Sequence, residues 1–357
     1  MVSQRLFDAL PPFPKDVSTA DVPKFSLSRL FSGDSVYAHE VFETCRTTGF
    51  FLLEMGGEEI GDNMISEVDA MFDISNNVFD LEIEEKTRYA QDASKGKFTG
   101  WKDIGIMKTD TGAPDRCEFY ALAQDDIIGN MSSLPHPDAI ESHRSTIESF
   151  LRHAHSILTQ ILSILDAGLG LQRGTLASLV SQERSSGTLV RMIRYPPQPL
   201  SNRRTSLLRH TDMGAITFLC SIVGGLQILT PGSDPTDEAA WRYIRPAPNC
   251  AIINIGDALV EWSGGILRSN MHRVTYAPGA QADFPRHSIA YLVRGNKSVS
   301  MKRLQSERIP SAAEDGEVEM DVSCEEWELN KNKALTAGAD CARSRGGRDL
   351  VPAVKCS

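Results

Sequence analysis

Leu207-Leu208-Arg209-His210-Thr211-Asp212-Met213-Gly214-Ala215-Ile216-Thr217 is the stretch on which the fold turns. An apolar run with strand composition ends on a His-x-Asp pair, a Met-Gly turn follows, and a second strand-like run begins. In an extended chain residues i and i+2 project from the same face about 7 Å apart. His210 and Asp212 therefore face one ion together while Thr211 points away. A third ligand must come from a sequence-distant strand, and His272 in Asn270-Met271-His272-Arg273-Val274 opens such a strand. Two imidazoles and one carboxylate on one face of an octahedron leave three positions open, the arrangement of oxygen-activating non-haem Fe(II). The residues alone leave a second reading open, in which His272 is a hydrogen-bonded core residue and Asp212 caps the turn.

Outward from that stretch the texture is repetitive. Short apolar or alternating runs at 189–195, 207–211, 215–222, 225–229, 241–244, 250–255, 272–276 and 288–293 are separated by Gly, Pro and Asn. Regular short strands with turn signals favour a sandwich or barrel, and eight of them suit a jelly roll. The first half differs. Apolar residues recur at helical spacing over 35–46 and pass into a strand-like Gly49-Phe50-Phe51-Leu52-Leu53, and helices are predicted over 60–88 and 138–171, the latter with Asp138 as N-cap. The fold class is thus mainly β with helices. Residues 20–180 form a mostly helical N-terminal region, 187–300 the jelly-roll core, and 301–357 a C-terminal helix and tail. The tail after about Asn330 is polar, carries Gly and Arg, and lacks an apolar period, so it is expected to be dispensable for metal binding.

The chain has 357 residues, 41% hydrophobic and 24% charged, which is ordinary for a globular enzyme and excludes disorder, collagen and disulfide-rich miniproteins. With 37 Lys and Arg against 47 Asp and Glu the net charge is −10, which repels phosphate backbones and anionic lipid surfaces. Neither nucleic acid nor a membrane is expected as a partner. Seven scattered cysteines without a Cys-x-x-Cys pair read as a reduced, cytoplasmic chain, and residues 1–17 contain neither a signal peptide nor a membrane span.

A second same-face pair stands in Pro285-Arg286-His287-Ser288. On a strand, Arg286 and Ser288 face one way and His287 the other. Inside a barrel the guanidinium and hydroxyl would clamp a substrate carboxylate; the competing reading is an Arg in a strand-edge salt bridge. The other His-x-Asp pair, His136-Pro137-Asp138, is explained by capping, and His153 and His155 point to different faces of a helix. Gly168-Leu169-Gly170 follows a helix and lacks the third glycine of a dinucleotide fingerprint. Trp262 reads as core packing.

Taken together and in order, several segments resemble the iron- and 2-oxoglutarate-dependent dioxygenases of the isopenicillin N synthase-like family. They are Arg194-Tyr195-Pro196-Pro197, His210 to Thr217, Gly224-Gly225-Leu226-Gln227, Asn254-Ile255-Gly256-Asp257, Trp262-Ser263-Gly264-Gly265 with His272-Arg273-Val274, and Arg286-His287-Ser288. At the front, Phe25-Ser26-Leu27, Gly49-Phe50-Phe51 and Asp115-Arg116-Cys117-Glu118-Phe119-Tyr120 look like that family's N-terminal region, so the likeness spans roughly 20–330. The resemblance implies a double-stranded β-helix in which His210, Asp212 and His272 hold Fe(II) while Arg286 and Ser288 bind the distal carboxylate of 2-oxoglutarate, assisted by Tyr195. It further implies O2 as co-reactant, ascorbate as an accessory reductant, and a small organic substrate oxidised by a monomer in secondary metabolite biosynthesis. Ile193 stands where many plant members have Asn. The longer interval from His272 to Arg286, with Pro278-Gly279-Ala280 as its extra loop, is similar to fungal members. Two other readings remain: an oxidase of the same fold that uses no 2-oxoglutarate, and a catalytically silent jelly-roll binding protein.

Overall fold

The protein is seen in a computed structural model that describes residues 4–92, 96–109, 112–198, 203–336 and 344–350. All eight strand-like runs of 187–300 are strands: β5 (Leu189–Tyr195), β6 (Leu207–His210), β7 (Ile216–Ser221), β8 (Leu226–Leu229), β9 (Trp241–Tyr243), β10 (Cys250–Ile255), β12 (His272–Val274) and β13 (Arg286–Val293). The N-terminal region adds β1 (Lys24–Ser26), β2 (Phe50–Glu54), β3 (Gly100–Lys102) and β4 (Glu118–Ala123). Two-residue strands β11 (Arg268–Ser269) and β14 (Arg345–Gly346) pair with each other. An eight-stranded sheet in the order β1-β2-β10-β7-β13-β5-β4-β3 faces a four-stranded sheet in the order β6-β12-β8-β9, the two layers of a jelly roll.

The large sheet buries both of its faces. Its inner side chains, among them Phe50, Phe119, Leu189, Tyr195 and Ile252, form the barrel interior with Leu226, Ile228 and Val274 of the small sheet. Its outer side chains, such as Val190, Phe218, Ile253 and Tyr291, belong to the main core shared with the helices. This two-sided burial makes β10 apolar or buried at every position. Chief among the covering helices is Arg144–Gly168, whose stripe Ile147, Leu151, Ala154, Leu158, Ile161 and Leu165 is buried at 3.6-residue spacing. The helix Ser35–Thr47 is capped by Asp34, whose carboxylate accepts from the backbone of Val36 and Tyr37 at 3.1 Å.

Three boundaries differ from the sequence reading. The span 60–88 is two helices, Glu59–Phe79 and Ile83–Arg88, because the Phe79 carbonyl is taken by Lys86 Nζ and Arg194 Nη2 at 2.9 Å instead of by a continuing turn. The span 138–171 also divides, into Asp138–Glu141 and Arg144–Gly168. Pro137 holds the cap position of the first, so Asp138 is its first helical residue and not its cap. The side chains of Ser142 and His143 turn back onto the carbonyls of Asp138 and Ala139 at that break. His136, beside them, is a buried structural histidine held between Asp126 Oδ2 at 2.6 Å and Tyr120 OH at 2.9 Å. His153 and His155 indeed diverge, to Glu67 and Tyr291, and Trp262 is fully buried.

Candidate active site

The His-x-Asp pair lies where β6 leaves the small sheet, and β12 brings His272 directly opposite His210. The imidazole centroids are 4.2 Å apart, and each Nε2 stands 3.8 Å from Asp212 Oδ1. Among the described residues His210, Asp212 and His272 form the group of His, Cys, Asp and Glu side chains spaced to hold a metal ion, with ligand atoms within 4.8 Å of one another.

The surroundings aim these atoms. The Nδ1 of His210 faces the Leu208 carbonyl at 2.8 Å and that of His272 faces the Asn270 carbonyl at 3.3 Å. Donation from Nδ1–H to a carbonyl selects the tautomer whose Nε2 lone pair is free, as in a metal-ligating histidine. On Asp212, Oδ2 accepts from Thr217 Oγ1 and Asn254 Nδ2, both at 2.7 Å, which leaves Oδ1 for an ion. Thr217 and Asn254 face each other across β7 and β10 on the inner face. Burial alone would raise the Asp212 carboxyl, but the facing imidazoles and these two hydrogen bonds outweigh it and hold it below its ordinary value. Burial and the neighbouring imidazole push His210 down to about 4, although a third of its side chain opens on the barrel mouth. His210 is thus poised as a neutral ligand. The Asp212 turn is locked by close backbone approach: a Cβ on Gly256 would meet the Gly214 carbonyl oxygen at 2.1 Å, and Asp257 N–H donates to the Asp212 carbonyl at 2.7 Å.

Arg286 and Ser288 project together into the barrel at 5% and 1% exposure, on strand β13 beside β5. The guanidinium donates through Nε to the Gly224 carbonyl at 3.1 Å and through Nη1 to Ser288 Oγ at 3.3 Å, and it lies 5.1 Å over the Tyr195 ring. No carboxylate pairs with it among the described residues, which leaves a buried cation with free donors. Gly225, at φ +121°, admits it: a Cβ there would press on Arg286 Cδ at 3.3 Å. His287 points the other way, against Phe79, as its strand position requires.

The structure brings together every residue the sequence reading selected: His210, Asp212 and His272 at the mouth, and Tyr195, Arg286 and Ser288 deeper in. Two features went unread. The extra loop 278–280 is wedged against the N-terminal segment, with Gln281 joining the Gly224 N–H and the Pro11 carbonyl, both at 2.9 Å. The tail, expected to be dispensable, docks behind the metal strand. Ser344 Oγ accepts from Met271 N–H at 2.8 Å and donates to Asn270 Oδ1 at 2.6 Å, while Lys331 pairs with Asp257. The anchoring is largely polar and made to residues distant in sequence, with Leu350 the apolar residue that packs on the core, so no hydrophobic period announces it. Residues 337–343 and 351–357 lie outside the described residues. Removal of everything after Thr336 is expected to leave a folded chain that binds iron about tenfold more weakly, since supports of ligand strands matter at that scale. Metal content after dialysis against graded chelator would measure it, and Ser344→Ala should reproduce part of the loss.

His287 yields a pH prediction. Burial first, then the positive charge of Arg194, push this imidazole down to about 4 from an ordinary 6.5. Between those values the unfolded chain binds a proton that the folded chain refuses, so stability falls as pH falls through that window. His287→Phe is expected to make the drop in thermal midpoint from pH 7 to pH 5 shallower than in wild type, with 2-oxoglutarate affinity unchanged.

A barrel of this topology with a facial His-Asp-His set defines the class of mononuclear non-haem iron oxygenases. Residues 186–295 match the 2OG-Fe(II) oxygenase superfamily and residues 22–139 match the N-terminal region described as non-haem dioxygenase in morphine synthesis. The chain is 30% identical over 325 residues to a 2-oxoglutarate-dependent dioxygenase of Aspergillus fumigatus, covering 85% of this chain and 84% of the relative. It is 29% identical over 290 residues to the 2-oxoglutarate-dependent dioxygenase frbH of a Dothideomycetidae species, covering 80% and 85%. In fold it is similar to a full-length Neurospora crassa protein solved in complex with alpha-KG, with TM-score 0.72 and 22% identity over 90% of this chain and 98% of that one. The chain belongs to the 2OG-Fe(II) oxygenase superfamily, and it is a dioxygenase that uses Fe(II), 2-oxoglutarate and O2 on a small molecule.

Proposed function

We propose that His210, Asp212 and His272 hold the Fe(II), that Arg286 and Ser288 grip the distal carboxylate of 2-oxoglutarate above Tyr195, and that the enzyme oxidises an unactivated C–H bond in fungal secondary metabolism. The observation that carries this reading is complementary incompleteness: among the described residues, one oxygen of Asp212 and two Nε2 atoms converge without a hydrogen-bond partner of their own, and the buried guanidinium of Arg286 lacks a carboxylate. When bound, the metal and cosubstrate supply the oxidant, O2 and 2-oxoglutarate yielding succinate and carbon dioxide as the substrate is oxidised.

The chain's own work is placement. Thr217 and Asn254 keep Asp212 ionised and aimed, and the Nδ1 contacts of both histidines keep their rings oriented. Arg286 and Ser288 set the reach of the cosubstrate from the metal, with two planar donors and a hydroxyl fixing a carboxylate in one orientation. Burial holds Tyr195 as the neutral phenol, its ring closing the floor of the clamp. The apolar inner wall, with Phe50 edge-on to His272 at 5.4 Å, excludes water from the reacting centre. The protein acts as a cytoplasmic monomer without nucleic-acid or membrane partners. Its net charge of −10 disfavours phosphate backbones and anionic lipid surfaces, and the scattered cysteines without a Cys-x-x-Cys pair suit a reducing compartment.

Succinate release tests the reading. Purified enzyme with Fe(II) and 2-oxoglutarate is expected to form succinate slowly alone and faster with its organic substrate. Oxygen uptake without succinate would select the oxidase of the same fold, and neither would select the silent binding protein.

A further inference from the structure

The inner face of the large sheet is organised in rows. Asp212 is held by Thr217 and Asn254 of the row Leu189, Leu292, Thr217, Asn254 and Phe50, and Ser288 lies two rows deeper, level with Phe119, Ile193 and Ser221. Between them runs the row Ala121, Arg191, Ala290, Leu219 and Ile252. Arg191 thus sits at the depth separating metal from clamp, one strand beyond β13 on the side away from β7. Its neighbours across the sheet, Ala121 and Ala290, are both alanines, so only small side chains flank it there.

Arg191 stacks on Phe119, with Cζ 4.3 Å from the ring centroid. Its Nε is buried without a hydrogen-bond partner, and no carboxylate pairs with it among the described residues. The residue is only partly covered, so its terminal N–H groups open on the lumen. Arg194, Arg273 and Arg294 each hold a carboxylate at 3.0 Å or less, whereas Arg191 shares its unpartnered Nε with Arg116, Arg203 and Arg268 and is distinguished from them by its place on the inner row between the metal and the clamp. Burial lowers Arg191 to about 10, which leaves it charged at neutral pH. The charges of the loaded site make its need specific. Iron and Arg286 together balance Asp212 and the two carboxylates of 2-oxoglutarate, and Lys102 at the wall is already paired with Asp115. One positive charge, that of Arg191, is left over.

We propose that Arg191 is the binding residue for a carboxylate on the organic substrate, so that the enzyme acts on a carboxylic acid whose acid group docks beside the metal. The inference rests on the iron and cosubstrate reading above. A planar anion takes the two terminal N–H groups in bidentate fashion, Phe119 holds the guanidinium plane, and the alanines make room for the skeleton. With the acid group tethered one row below the metal, the bonds a few atoms away are presented to the reacting centre.

The test uses full-length enzyme loaded anaerobically with Fe(II) and saturating 2-oxoglutarate, so that Arg286 is occupied. A panel of aliphatic, aromatic and fused-ring carboxylic acids, each paired with its methyl ester, is titrated by thermal shift. Formation of the coloured Fe(II)–2-oxoglutarate chelate is monitored in every variant. Acids are expected to bind wild type better than their esters. Arg191→Gln should weaken the best acid about ten- to a hundredfold, the scale of a lost charged hydrogen bond, without weakening the ester or the chelate, and Arg191→Lys should recover part of the loss. If no acid surpasses its ester, or if Arg191→Gln weakens the chelate as much as the acid, the assignment is overturned while the family chemistry stands. If wild type forms no chelate, the iron and cosubstrate reading fails and this inference falls with it.

Discussion

Asp212→Ala is expected to empty the iron site and abolish turnover while the barrel stays folded. The carboxylate is the one anionic ligand of the set, and without it two imidazoles 4.2 Å apart face the lumen with no negative charge to hold a divalent ion. The structural cost is limited because the residue lies in a turn at the mouth, not in the packed core. Thr217 Oγ1 and Asn254 Nδ2 lose their acceptor, which costs about 1–3 kcal/mol for buried donors left unsatisfied. The backbone locks from Asp257 N–H to the Asp212 carbonyl and from Gly256 N–H to the Ala215 carbonyl do not depend on the side chain. Iron content, circular dichroism and succinate release on the purified variant check the three parts separately. Stoichiometric iron with retained turnover would sink the ligand assignment, and loss of the folded spectrum would show Asp212 to be structural first. Asp212→Asn keeps the volume and an acceptor for Thr217 or Asn254, so it should restore stability without restoring iron.

What was legible in the sequence follows from which interactions have a period. The strands of 187–300 stand out because their side chains are buried on one or both faces, so apolar runs bounded by Gly, Pro and Asn mark them. His210, Asp212, Arg286 and Ser288 were legible for the same reason: a period of two tells which neighbours share a face. His272 needed a distant strand to be brought alongside; its place at the start of a strand-like run made it a candidate, and the order of motifs strengthened that reading. The strands β1 and β3 escaped because three residues are too few to show a pattern, and β4 because it opens with Glu118. That charge is answered on the outer face by Arg194 at 2.7 Å, a pairing no local rule reveals. The helix breaks after Phe79 and before Arg144 come from side chains capturing carbonyls, which is tertiary information. Arg191 was passed over although it stands three residues before Arg194, because two arginines on one strand look alike until their faces are known. Arg194 has its carboxylate in Glu118; among the described residues Arg191 has none.

Arg286→Lys is expected to raise the 2-oxoglutarate requirement about ten- to a hundredfold while iron binding is nearly unchanged. The guanidinium already commits Nε to the Gly224 carbonyl and Nη1 to Ser288, so its remaining planar edge is preset for a carboxylate before the cosubstrate arrives. A lysine ammonium reaches the same volume as a flexible point charge and cannot keep the Gly224 bond and the bidentate grip together. One charged hydrogen bond lost in a buried site is worth roughly 1.5–3 kcal/mol, which gives that range. Arg286→Ala should be worse, since the distal carboxylate would then be buried without a counter-ion and only Ser288 would remain to meet it. The metal ligands lie on β6 and β12 and in the turn after β6, whereas Arg286 lies on β13 of the other sheet, so metal affinity has no direct route to change. Titration of 2-oxoglutarate against chelate absorbance measures the first effect and iron content the second. His287→Ala is the internal control, because its side chain packs on Phe79 outside the barrel and should leave the titration where it was. If that variant lost 2-oxoglutarate while Arg286→Lys kept it, the strand faces would be reversed and the clamp would have to be sought on the outer side of β13.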